Sequence, residues 1–119
     1  MTARSAPVVH VELHTVNRAR ACAFYAELFG WRPDAVHLGD ESYLAMRTGQ
    51  GIEAGIVEED GEEPFWLPFV EVPCVSGSAE RARELGGAVL LEPREGPAGW
   101  RAVVAGPGGG RIALWGPKT

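Results

Sequence analysis

The chain has 119 residues, 45% of them hydrophobic and 23% charged, the composition of a single globular domain over residues 1–119. That length supports a core without metal or disulfide staples. The formal net charge of −5, from 16 acidic against 11 basic residues, argues against nucleic-acid and anionic-membrane partners.

Cys22 and Cys74 are the only cysteines, show no metal-type spacing, and read as free thiols of a reducing compartment. No apolar run approaches membrane-spanning length, and residues 1–7 lack a signal-peptide core, so a cytoplasmic location is expected.

In chain order, Val8 to His14 alternates apolar Val9, Val11 and Leu13 with polar His10, Glu12 and His14, the pattern of a two-faced strand. Asn17 can cap a helix whose stripe is Ala21, Phe24, Tyr25, Leu28 and Phe29, stopped by Gly30 and followed by Pro33. Short strands are expected at Ala35–Leu38, Tyr43–Arg47 and Ile52–Val57, with turns at Gly39-Asp40 and Thr48–Gly51. The acidic run Glu58, Glu59, Asp60, Glu62 and Glu63 reads as a solvated loop.

The order then repeats. Val11-Glu12-Leu13 returns as Val70-Glu71-Val72, displaced by 59 positions, and each leads into a helix. Phe65–Val72 is a strand carrying Pro68. Ser76 or Ser78 can cap a helix with Ala79, Ala82 and Leu85 inward, ended by Gly86-Gly87. Strands follow at Ala88–Leu91, Trp100–Ala105 and Arg111–Trp115. The run Gly106–Gly110 lacks the Lys-Ser/Thr of a phosphate loop and precedes a strand, so it reads as a hairpin. The expectation is an α+β fold: two βαβββ modules, 8–60 and 61–117, forming a cupped mixed sheet.

Strand parity assigns one uncovered face to His10, Glu12 and His14, to Glu53, Gly55 and Val57, to Leu67, Phe69 and Glu71, and to Arg111, Ala113 and Trp115. Three titratable groups on one strand face are costly if buried without partners, so that face is expected to meet a ligand or water in a cleft between the modules.

These residues resemble the vicinal oxygen chelate superfamily of glyoxalase I, bleomycin- and fosfomycin-resistance proteins and extradiol dioxygenases. The matching text is His10–Asn17, Phe24-Tyr25, Leu28–Trp31, Val70–Val72, Glu80–Gly87, Gly99–Val104, Gly106-Pro107 and Ile112–Trp115. The resemblance implies the paired-module fold and a homodimer, which would also cover open strand edges. Metal-using members place a ligand on the first and last strand of each module. Carried over, those positions fall on His10, on Glu53 (or Gly55), on Leu67 or Phe69, and on Ala113. Two of the four are apolar, short of the three or more N/O donors a divalent site needs. No cofactor is therefore expected, and a divalent metal on His10 and Glu53 is the alternative.

The ligand-binding candidates are His10, His14, Glu53, Phe69, Trp100, Arg101 and Trp115, with His10 and Glu12 as candidate acid–base groups. Glu12 and Glu71, equivalent in the two modules, are expected to form salt bridges with Arg101 or Arg111. The favoured function is metal-independent binding or sequestration of an antibiotic or other aromatic metabolite. The alternative is a glyoxalase-like lyase, isomerase, epimerase or dioxygenase working through His10.

Overall fold

A computed structural model of the chain describes residues 5–38, 41–49, 51–61, 63–96 and 99–117. The elements run β1 (Val8–Thr15), α1 (Arg18–Phe29), β2 (Arg32–Leu38), β3 (Glu41–Arg47), β4 (Glu53–Glu58), β5 (Phe65–Glu71), α2 (Val75–Glu84), β6 (Ala88–Glu95), β7 (Gly99–Gly106) and β8 (Gly109–Pro117). This is βαβββ twice. The chain divides into two compact units, a first of Val9–Leu67 and a second of Met1–Val8 with Pro68–Thr119. Among the described residues no helix is long and apolar enough to cross a membrane. The turn expected at Gly39-Asp40 lies outside the described residues, as do Gln50 of the next turn and Glu62 of the acidic run.

In the first unit β1 pairs parallel with β4, β4 antiparallel with β3, and β3 antiparallel with β2. The apolar side of β1 does what its alternation dictates. Leu13 joins Met46, Ala54 and Ile56 in a buried cluster, with Val11, Ala21, Cys22, Tyr25, Ala26, Trp31 and Leu44 packed against it. The side chain of Asn17 accepts from the Arg20 amide at 3.0 Å and starts α1, and Gly30, in the left-handed region at φ 72°, ends it.

The helix sits rotated from its expected stripe. Ala21, Cys22, Tyr25 and Ala26 meet the sheet, whereas Phe24, Leu28 and Phe29 remain 57%, 57% and 55% exposed. The reason is size. A seam of alanine and cysteine lets the helix axis approach the strands, and bulky side chains beside it stay outside that seam. Tyr25 then anchors an aromatic cluster, stacked on Trp31 at 5.7 Å between ring centroids and edge-on to Trp66 at 5.4 Å.

In the second unit β5 pairs parallel with β8, β8 antiparallel with β7, and β7 antiparallel with β6. Its core is Val72, Val75, Ala79, Ala102, Val104 and Leu114, with Val70, Ala82, Val89 and Ile112 against it. Neither expected serine caps α2. Cys74 does, extended at φ −141°, its Sγ accepting from the Gly77 amide at 3.4 Å. The helix therefore starts one residue after Cys74, which places Ser76 and Ser78 inside it. Leu85, expected inward, stands at the helix end 61% exposed.

The Gly106–Gly110 run is the β7–β8 hairpin, with Gly106 paired to Gly109. Gly109 and Gly110 take φ of 94° and 82°, which the absence of Cβ permits.

Candidate functional site

The polar face of β1 organises the first unit's chemistry. His14 Nε2 lies 2.7 Å from Glu12 Oε1, and His10 Nε2 lies 3.8 Å from Glu12 Oε2, so two imidazoles bracket one carboxylate. Glu12 itself is buried, at 9% exposure. The other ring nitrogen of His14, Nδ1, is hydrogen-bonded to Glu59 Oε1. A neutral imidazole donates to only one of these carboxylates, and an imidazolium donates to both. The ring also stacks on Phe65, centroids 4.7 Å apart and planes 7° from parallel. The outcome is an alternating line, Glu59–His14–Glu12–His10, running from a half-exposed carboxylate through the buried Glu12 to the partly exposed His10.

Glu59 and Phe65 are neighbours of His14 that parity along β1 could not reveal. The signal was positional. Because β4 runs parallel to β1 with Thr15 opposite Glu58, the residues just past β4 arrive at the end of β1. The Glu59 amide donates to the Thr15 carbonyl at 2.9 Å, and Glu58 Oε1 accepts from the Arg18 amide at 2.9 Å. Two members of the acidic run are thus tied to the start of α1 and to His14.

Space for the histidines comes from the row beside Glu12. Gly55, Ala45 and Asp34 follow it across β4, β3 and β2, and the first two carry almost no side chain. His10 stands opposite Glu53 on β4. Glu53 is exposed and acts electrostatically on Arg47. The Arg47 guanidinium is held above its usual range, first by its hydrogen bond to Asp34 (2.9 Å), then by the charges of Asp34 and Glu53. Arg47 and Glu53 line a shallow depression of about 270 Å³ with Gly30, Arg32, Thr48, Gly49 and Gly51.

In the second unit the same register positions carry different chemistry. Phe69 stands opposite Ala113 on β8, as His10 stands opposite Glu53 on β4. The parallel pairings are equivalent, so the position matching His10 is Phe69 and not Leu67. Phe69 is 7% exposed and Ala113 fully buried. Of the four positions that the resemblance marks for metal ligands, two offer no donor atom. Among the described residues no group of three or more His, Cys, Asp or Glu is arranged to hold a metal ion. The residues present do not fit a family-type metal centre.

Two residues further along, Glu71 stands opposite Trp115, Trp115 opposite Arg101, and Arg101 opposite Arg94. This row occupies the place that Glu12, Gly55, Ala45 and Asp34 hold in the first unit. The expected salt bridge from Glu71 to Arg101 does not form, because the strand carrying Trp115 lies between them and separates the two by two strand spacings, about 10 Å. Glu12 pairs instead with the histidines of its own strand. Trp100 alternates with Arg101 along β7, so it projects from the opposite face to Arg101 and Trp115 and is 41% exposed.

No protein-family model matches the chain, and no curated protein matches it in sequence. Solved structures do match in fold. Methylmalonyl-CoA epimerase from Mycobacterium tuberculosis superposes with a TM-score of 0.71 at 18% identity, covering 100% of this chain and 94% of that one. A hypothetical protein from Bacillus halodurans gives 0.74 at 13% identity, covering 98% and 97%. A variant of 4-hydroxymandelate synthase from Streptomyces coelicolor gives 0.71 at 18% identity, with 96% of this chain matching only 39% of that longer one. With its two βαβββ units and these neighbours, the chain has the fold of the vicinal oxygen chelate superfamily.

Proposed function

We propose that this protein binds a small organic molecule directly, with no metal between protein and ligand, as a sequestering protein for an antibiotic or other aromatic metabolite. The observation that carries the reading is the register of the second unit, in which Phe69 and Ala113 occupy the positions that would have to supply half of a metal's donors. Phe69 and the fully buried Ala113 offer no donor atom, so a ligand is held here without metal, and the polar groups that fix its orientation are few, as in ordinary ligand sites. A thermal-shift screen of flat aromatic compounds, run in EDTA and again with Zn, Ni or Mn, tests it. A ligand at a hundred times its Kd stabilises by about 2.7 kcal/mol whether or not metal is present. Stabilisation that requires the metal would overturn the reading.

A second reading is favoured by one specific feature, the carboxylate of Glu12 bracketed by His10 and His14. Such a line can accept and return a proton, which is the chemistry of an isomerase or epimerase. Structural neighbours include a methylmalonyl-CoA epimerase solved in complex with methylmalonyl-CoA. In this reading His10, the most exposed of the three on β1, touches the substrate, and Glu12 and His14 position it. His10→Ala should then abolish turnover in a protein that still folds, and retained turnover would remove His10 from that role.

A further inference from the structure

We propose that Arg94 and Arg101 form a binding site for the oxyanion of a flat ligand, a phosphate ester or a carboxylate, whose ring lies on Trp115. This deepens the direct-binding reading and rests on it. Arg94 and Arg101 are directly opposed across the antiparallel β6–β7 pair, so both side chains leave the same face about 5 Å apart at Cβ. Both are exposed, and neither makes an ion pair or hydrogen bond among the described residues.

That arrangement is costly for the unliganded protein. Like charges placed directly opposite destabilise a strand pair, and a guanidinium cannot shed its proton to relieve the repulsion. The opposed pair Arg32 and Arg47 has a carboxylate at hand, since Arg47 is bonded to Asp34, and on α2 Arg81 has Glu84 and Arg83 has Glu80 and Glu92; Arg94 and Arg101 face one another with no ion pair on either among the described residues. An oxyanion bridging two such forks gains charge-assisted, bidentate hydrogen bonds and removes the repulsion in the same step.

The row also sets direction and shape. Trp115 is next in line after Arg101, half-buried, and presents an indole on the same face. Glu71 follows it, half-buried and without an ion pair among the described residues. An anionic group is repelled from the Glu71 end and drawn to the arginine end, which leaves the ring of the ligand over the indole.

The test titrates phenyl phosphate, benzoate and uncharged phenol into the full chain, read by calorimetry and by quenching of tryptophan fluorescence. Either oxyanion should bind at least tenfold more tightly than phenol, and which of the two does so identifies the ligand chemistry. Arg94→Gln and Arg101→Gln should each raise the Kd of the bound oxyanion at least tenfold, and Trp115→Phe should remove most of the quenching. Unliganded Arg94→Gln should melt at or above the temperature of the unsubstituted protein, because a repulsion has been removed. The proposal fails if neither oxyanion outbinds phenol, if the arginine variants bind unchanged, or if unliganded Arg94→Gln melts several degrees lower, which would reveal a structural partner. A neutral aromatic that stabilises the protein while both oxyanions fail would overturn this proposal and leave the direct-binding reading standing.

Discussion

His14 Nε2 lies 2.7 Å from Glu12 Oε1 on one face of β1, and that contact gives a buried carboxylate a hydrogen-bonding partner. His14→Phe retains a ring to stack on Phe65 and deletes the polar contacts to Glu12 and Glu59. Leaving Glu12 without that partner should cost about 1–3 kcal/mol of unfolding free energy in urea denaturation. In a double-mutant cycle with Glu12→Gln the two losses should be non-additive, with a coupling of about 0.5–3 kcal/mol. Additive losses would mean the two side chains do not stabilise one another.

Cys74 has a pH signature. Its thiol is held below the ordinary cysteine range, first by the Ser76 hydroxyl at 3.5 Å and then by the Gly77 amide, both hydrogen-bonding to its sulfur. A depressed value means the thiolate is favoured by folding, so its contribution to holding α2 is present at high pH and fades as pH falls through the folded value. Alkylation by iodoacetamide should therefore reach half its limiting rate at a lower pH for Cys74 than for an unstructured cysteine peptide. Ser76→Ala should move that midpoint upward. Cys22, half-buried with its Sγ 3.6 Å from Met46 Sδ, should react more slowly. Equal midpoints for Cys74 and the peptide would contradict the capping geometry.

Gly99 is required by a close backbone approach. A Cβ there would meet the Gly116 carbonyl oxygen at 2.2 Å, and backbone on the paired strand cannot swing aside as a side chain can. Gly99→Ala should destabilise by about 1–3 kcal/mol. Gly108, with nothing within 4 Å of its would-be Cβ, is the control. Gly108→Ala should be neutral or stabilising by up to about 1 kcal/mol, through the unfolded chain alone. Calorimetric melting of the two variants distinguishes them.

The βαβββ repeat was legible because strand alternation, an Asn cap, a helix-stopping glycine and glycine turns all act locally. What escaped was set by packing between elements. Nothing in α1 alone says that its alanine–cysteine seam outcompetes Phe24, Leu28 and Phe29 for the sheet, since both stripes have helical spacing. Strand parity brought His10, Glu12 and His14 to one face, and the structure joins them into one line. Parity along β1 could not supply Glu59, which arrives through the parallel partner strand, nor decide whether Leu67 or Phe69 matches His10. The β5–β8 register decides that. The missing Glu71–Arg101 salt bridge has the same origin. Charges were legible, and the strand inserted between them was not.

In the proposed direct-binding role the ligand needs no metal, because Phe69 and Ala113 cannot supply donors where His10 and Glu53 could. Elemental analysis of protein purified without chelator tests it most directly. Metal-independent binding predicts well under a tenth of an equivalent of Zn, Ni, Mn or Fe per chain, unchanged in His10→Ala. Near-stoichiometric metal that disappears in His10→Ala would contradict it.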